Sequence, residues 1–227
     1  MRHRTKTRAN PVFWPGELRL ALGAERFERA RVEPGSVDLL VWNVFQSLET
    51  HRDQDFLAYR LEPLVGGGLR PPLRLALWTG RSREPLLRAH SDGGPIEVPV
   101  RIESPDVLAL VDVASRHEHA DRLLTLVDTG IPHARRLSKQ LAVGVISVSG
   151  TPVAAEVSAR MRQLRDPDAL ADALPHHKPL PPVRLGEASW QQLARLFQEE
   201  VGYLRLGGQP VRAFLDHVRA LGLLPAR

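Results

Sequence analysis

The chain has 227 residues, 43% of them hydrophobic, with 31 Lys+Arg against 26 Asp+Glu for a formal net charge of +5, and it contains no cysteine. That length suits one domain, or one domain with a small appendage, and is enough to bury a full core without covalent staples. The lack of cysteine excludes disulfides, thiolate metal sites and cysteine nucleophiles and fits a reducing, cytoplasmic compartment, while no run is long and apolar enough to span a membrane and no apolar signal segment follows the basic start.

Only Lys6, Lys139 and Lys178 are lysines. Arginine matches phosphate geometry well, so the mild positive excess is compatible with nucleic acid without requiring it. In chain order, Arg2, Arg4, Lys6 and Arg8 read as a frayed tail or as an arm that touches phosphate. Val12, Phe13 and Trp14 form an apolar cluster ahead of a short helical run, which Glu33-Pro34-Gly35 punctuates. Ser36 is a good N-cap for a helical stretch over 37–64, in which Leu40, Val44 and Leu48 recur at helical spacing; Thr50 is a candidate bend. Residues 73–79 read as a strand. An arginine-rich loop with Arg81, Arg83 and Arg88 follows. Trp78 beside Arg81 suits either stacking on bases or a place in the core.

Residues 96–114 are the most informative stretch. Ile96, Val98, Val100 and Ile102 alternate with Glu97, Arg101 and Glu103, the period-2 pattern of a half-buried strand. Glu103-Ser104-Pro105-Asp106 supplies a turn. Residues 107–113 are apolar except Asp112, as in a strand covered on both faces. If Ile102 pairs with Val107, Glu97 lies directly opposite Asp112, and opposed residues share a face. Two carboxylates there need a shared proton, a basic neighbour such as Arg101, or a divalent cation.

Beyond the hairpin, 117–126 and 132–139 read as helix with an interruption near Gly130-Ile131-Pro132. Residues 141–148 read as a strand and 153–164 as a helix. Residues 166–188 carry five prolines and read as a linker or draped loop, with His176-His177 in it and no acidic or histidine neighbour at metal-ligand spacing. Ser189 caps a helix, and Pro210 starts a second helix in the position helices tolerate. The predicted fold is α/β, a mixed central sheet flanked by helices (1–165), a proline-rich linker (166–188) and a C-terminal helical appendage (189–227).

The order helix, strand, strand, strand, helix, strand over 36–149, with acids at the first helix and at the second and third strands, resembles the PD-(D/E)XK, or restriction-endonuclease-like, nuclease superfamily. The resemblance implies a helix acid, a strand acid and a (D/E)-x-K tripeptide that bind one or two divalent cations, Mg2+ or Mn2+, and activate water against a phosphodiester. Glu49 would match the helix acid, Glu97 the strand acid and Asp112 the acid of the tripeptide. The lysine position is Ala114, a departure that leaves three options: a migrated basic residue (Arg116 or His117), metal-only catalysis, or a fold without its chemistry. The implied partner is nucleic acid, DNA foremost. Arg116 and His117 at a helix N-terminus, with Arg101 and Arg81, are the candidate phosphate contacts. The alternatives are a non-catalytic scaffold or interaction protein, and a helix-turn-helix regulator built on the C-terminal helices, with Gln209 and Arg212 at the start of the reading helix and Arg205, Arg212 and Arg219 toward phosphate.

Overall fold

A computed structural model describes residues 10–79, 87–88, 95–114, 119–204 and 209–225. The centre is a five-stranded mixed sheet of β1 (Arg74–Thr79), β4 (Val98–Glu103), β5 (Val107–Val113), β6 (Gln140–Ser147) and β7 (Val183–Ser189), hydrogen-bonded in that order. The first three strands run antiparallel to their neighbours and the last three run parallel. The short strands β2 (Leu87–Arg88) and β3 (Pro95–Ile96) pair separately.

Alternation along β5 divides the molecule into two cores. Val107, Ala109, Val111 and Val113 face one apolar cluster with α1 (Pro15–Leu22), α2 (Ala24–Val32), α3 (Val37–Val41), α4 (Ser47–Glu49) and α5 (Gln54–Val65). α9 (Trp190–Glu200) and α10 (Gln209–Ala220) lie in the same cluster. Leu108 and Leu110 face the other, with α6 (His119–Arg136), α7 (Pro152–Leu164) and α8 (Pro167–Ala173). Every residue of β5 is buried, as expected of a strand covered on both faces. Between α3 and α4 a π-helical turn, Trp42–Gln46, presents Trp42 and Asn43 to the chain start. Trp42 Nε1 donates to the Phe13 carbonyl at 2.5 Å, and Asn43 both accepts from Phe13 N at 2.9 Å and donates to the Pro11 carbonyl at 2.9 Å.

The observed fold departs from the sequence reading in three places. The helix α6 is continuous: Pro132 sits inside it, at the cost of the one N–H that would bond the Asp128 carbonyl, and burial of Ile131 and Ala134 in the second core holds the turn. Residues 166–188 are no linker. They hold α8 and most of β7, which pairs with β6 from Leu141↔Val183 to Ser147↔Ser189; the polar residues Arg184 and Glu187, on opposite faces of β7, suit an edge strand, and the prolines end just before it. The C-terminal helices are no appendage either: Phe197 and Phe214 pack with Phe13 at ring distances of 6.1 and 5.4 Å.

One close approach fixes α5 on the sheet. Gly144 and Gly186 are register partners on β6 and β7, and the end of α5 rests on both: a side chain at Gly144 would meet the Leu64 carbonyl, and one at Gly186 the backbone of Leu64 and Gly66, well inside 3.0 Å. Gly66 ends the helix with a left-handed φ of 75°. Gly144→Ala should therefore lower the unfolding free energy by about 1–3 kcal/mol, the usual cost of overpacking, read as a shift of the urea midpoint.

Candidate functional site

The hairpin register places the sequence-predicted acids differently from the expectation. Ile102 pairs with Ala109, not Val107, and Glu103 with Leu108. The shift of two arises at the turn, where Ser104 N donates to the Val107 carbonyl at 2.9 Å and Ser104 Oγ accepts from Val107 N at 3.2 Å. The ladder between β4 and β5 reaches only Val100↔Val111, next to Pro99, which has no N–H to give. Glu97 is thus not opposite Asp112.

Each acid is held by an arginine, from helices on opposite faces of the sheet. Glu97 Oε1 accepts from Arg26 Nη1 of α2 at 2.7 Å. The same guanidinium grips Asp38 of α3 bidentately, through Nε at 2.6 Å and Nη2 at 2.5 Å. Arg26 also lies 5.9 Å from the ring centroid of Trp78. The Asp38 hydrogen bond raises the Arg26 pKa above its already high ordinary value; burial opposes this, and Glu97 adds to the rise. The cation between these two acids cannot titrate away.

On the other face Asp112, only 3% exposed, has Arg122 of α6 as its charge partner. Nε lies 2.9 Å from Oδ2, a charge contact without good hydrogen-bond alignment, while Nη2 donates to the Glu97 carbonyl at 2.8 Å. Arg122 therefore ties the end of β5 to the start of β4.

The helix acid that shares an arginine with Glu97 is Asp38 and not Glu49. Glu49 ends α4 at the surface, where its Oε2 accepts from Gln46 Nε2 at 2.9 Å. Among the described residues, Glu49, Glu97 and Asp112 form no group with ligand atoms within 4.8 Å of one another. Arg101 pairs with Glu103, which also accepts from Lys139 Nζ at 3.1 Å. Trp78 is a core residue, 2% exposed and stacked on Trp42 at 5.9 Å. Arg81, Arg83, Arg116, His117 and Arg205 lie outside the described residues, as do residues 1–9, and of Arg88 only the backbone, in β2, is described.

A second cluster lies on the α6–α8 side. Asp128 Oδ1 accepts from His176 Nε2 at 2.6 Å and from His177 Nε2 at 2.8 Å. Asp128 and His177 are buried, whereas the His176 side chain is 43% exposed. Burial alone would push the Asp128 carboxyl up; the two imidazole hydrogen bonds outweigh it and hold the group below the ordinary aspartate value. Among the described residues this is the only group of three or more His, Asp or Glu whose ligand atoms lie within 4.8 Å of one another. No local spacing could reveal it, because the carboxylate is 48 and 49 residues from the imidazoles.

An open cleft of about 1020 Å³ lies at the carboxyl ends of β6 and β7, lined by Ser147, Ser149, Thr151, Ser158, Glu187 and Gln191 among others. Its one carboxylate, Glu187, accepts from Ser158 Oγ at 2.6 Å.

No family model, no curated protein and no solved structure matches this chain.

Arg122→Met should destabilise the fold by about 1–3 kcal/mol, because it removes a charge partner of the buried Asp112 carboxylate and the donor to the Glu97 carbonyl. Adding Asp112→Asn should recover part of that loss in a double-mutant cycle of denaturation free energies. Glu103 gives a pH test. Burial raises its carboxyl, but Lys139 and Arg101 together lower it below the ordinary value. A depressed folded-state value stabilises fully above the ordinary glutamate value of about 4.3 and is lost as pH falls through the lower folded value. The stability gap between wild type and Glu103→Gln should be widest near neutrality and close in acid, as read by urea midpoints along a pH series.

Proposed function

We propose that this chain is a nuclease-like protein that acts without hydrolysis, as a nucleic-acid-associated scaffold whose acidic edge is closed by arginine. The nuclease-like part of the reading is supported by element order. Leaving aside the short separate pair β2 and β3, the chain runs α5, β1, β4, β5, α6 and β6, as helix, three strands, helix and strand, and the four strands are hydrogen-bonded in that same order. This is the order on which the resemblance to the PD-(D/E)XK superfamily rests.

The observation that carries the non-hydrolytic part is Arg26 between Asp38 and Glu97, at 2.5–2.7 Å from both. A divalent cation does not fit this arrangement. Its place among the carboxylates belongs to a guanidinium, which offers donors only and stays protonated. The third acid, Asp112, is turned to the opposite helix layer and neutralised by Arg122. Ala114 is 3% exposed in the second core, so no side chain there can orient or deprotonate water. The helix-turn-helix alternative has less support: the Arg219 side chain is 13% exposed and pairs with Asp216.

Charge distribution supports a nucleic-acid partner. Residues 1–10 carry four basic residues and no acidic one, nearly the whole net charge of +5, which leaves the other 217 residues with 27 basic against 26 acidic. A phosphate-binding term would therefore be concentrated in that arm, and it would be lost with rising salt as counterion release predicts.

Fluorescence anisotropy with labelled single-stranded and duplex DNA and with RNA tests the partner. Binding is expected at low salt, weakening as salt rises, and deletion of residues 2–9 should remove most of it. Absence of binding to every form would overturn the nucleic-acid reading. Incubation of wild type and Ala114→Lys with the same substrates and Mg2+ or Mn2+ tests the chemistry. No cleavage is expected from either protein, because the lysine alone does not release the carboxylates from their arginines. Metal-dependent cleavage that disappears in Asp112→Ala would overturn the scaffold reading.

A further inference from the structure

We propose that Asp128, His176 and His177 form a binding site for one divalent transition-metal ion of the zinc class, which staples the proline-rich segment before β7 to helix α6. The inference is independent of the nuclease-like reading. It uses residues on the α6–α8 side that the acidic edge does not involve.

The donor set is the first argument. Two imidazole nitrogens and one carboxylate oxygen suit zinc and its first-row neighbours, and they do not suit magnesium, which prefers an all-oxygen shell. Three protein ligands with a remaining position for solvent is a common arrangement for zinc. Here the His176 side chain is 43% exposed, while the His177 and Asp128 side chains are about 5% exposed. One ligand thus faces the solvent from which an ion must come, and two are held inside.

Geometry is the second argument. Both Nε2 atoms point at a single carboxylate oxygen, at 2.6 and 2.8 Å, and the imidazole rings lie 4.4 Å apart. Ligands bonded to zinc at about 2.0–2.2 Å in tetrahedral array stand roughly 3.3–3.5 Å from one another. The two Nε2–Oδ1 distances need to lengthen by less than about 1 Å to admit the ion. On metal binding each ring presents Nε2 as a lone pair and keeps one proton on Nδ1: a neutral ring moves its Nε2 proton to Nδ1, a doubly protonated ring releases its Nε2 proton to solvent, and the carboxylate turns to the ion.

The frame around the cluster is the third argument. Asp128 stands on α6, one turn before Pro132. The histidine segment is held at both ends, by His177 N donating to the Leu174 carbonyl at 3.1 Å and by Arg135 Nη2 donating to the Pro179 carbonyl at 2.9 Å. Leu170 and Leu174 anchor it in the second core. Pro175, Pro179, Pro181 and Pro182 limit its freedom. A preordered set of ligands loses little entropy on binding. Four residues after Pro179 the chain enters β7, so an ion here ties the edge strand to the helix layer that covers it.

The test uses the full chain, free of any affinity tag and stripped with EDTA. Titration calorimetry with ZnCl2 should give one ion per chain. Titration with Co2+ should give the visible absorption of a four- or five-coordinate ion with nitrogen ligands, and Zn2+ should displace it. Thermal unfolding should shift upward with zinc. Asp128→Asn keeps an acceptor oxygen for both imidazoles, and His176→Gln changes a partly exposed side chain, so both variants retain the fold as checked by circular dichroism. Each should bind zinc at least about 10-fold more weakly, the scale on which even indirect supports of a metal site act, and should lose the zinc-dependent thermal shift. Absence of stoichiometric binding in the wild type would overturn the proposal. So would binding that both folded variants retain within 10-fold, since the ion would then sit on other histidines.

Discussion

Asp112 sits 3% exposed at the end of a strand whose every residue is buried. A bare carboxylate in that setting costs several kcal/mol, so it needs a cation or a proton. Arg122 supplies the cation, and one guanidinium serves two strands because it also reaches the Glu97 carbonyl. That bond holds the chain at Glu97, where regular pairing of β4 has already stopped. It lets the Glu97 side chain leave for Arg26 on the other face. The ion pair of Arg26 with Asp38 then fixes α2 against α3, and α3 leads into the turn whose Trp42 and Asn43 bind the chain start. A single need for countercharge in the central strand thus organises the edge of the sheet and both layers beside it.

The same clasps explain why this acidic edge reads as closed. A metal ion bound by carboxylates can be exchanged, can carry water and can lower the pKa of that water. A guanidinium does none of these. It binds two carboxylates with directed donors and holds its proton at any pH the protein survives. The stacking of Trp78 on Trp42 and the position of Arg26 beside Trp78 add a packed, apolar wall to the ion pair. The arrangement favours one fixed geometry over a cycle of binding and release.

Period-2 alternation made β4 visible in the sequence, and the apolar runs gave β5 and β6, because burial on one or both faces dictates those patterns directly. Helix boundaries at Thr50 and Ser189 were legible from turn and capping chemistry, and Ser189 closes a reciprocal capping box with Gln192; Ser36 stands at the start of α3 as expected but its side chain makes no cap bond. The register was not legible. It depends on a Ser104–Val107 hydrogen bond inside the turn, and a shift of two keeps every residue on the same expected face, so the hydrophobic pattern is blind to it. β7 was hidden by Arg184, Gly186 and Glu187, whose polarity and lack of bulk suit an edge strand but break the strand signature. Gly186 is there for the backbone of α5, which nothing local announces. Nothing in the sequence singled out Asp38, the acid in the first turn of α3, and its role is set by Arg26, which packing and not sequence spacing brings to it.

Buried and half-buried carboxylates recur through this molecule, and the identity of each partner decides what the pair can do. Asp38, Glu97, Glu103 and Asp112 have arginine or lysine partners, which neutralise charge but never coordinate a metal. Glu200 has His51, at 3.2 Å, but the other nitrogen of that imidazole accepts from Asp53 N at 3.0 Å, so the ring is fixed at both ends and stands alone. Asp128 differs because two imidazoles converge on one of its oxygens and one of them faces solvent. Imidazole is the one basic side chain here that gives up a proton near neutrality and then offers a lone pair. Where arginine closes a site, paired histidines leave it able to change its partner from a proton to an ion. The two kinds of pair are separated along the fold: the clasps of Arg26 from α2 and Arg122 from α6 meet where β4 begins and β5 ends, and the exchangeable pair lies further along α6, where the last strand is attached.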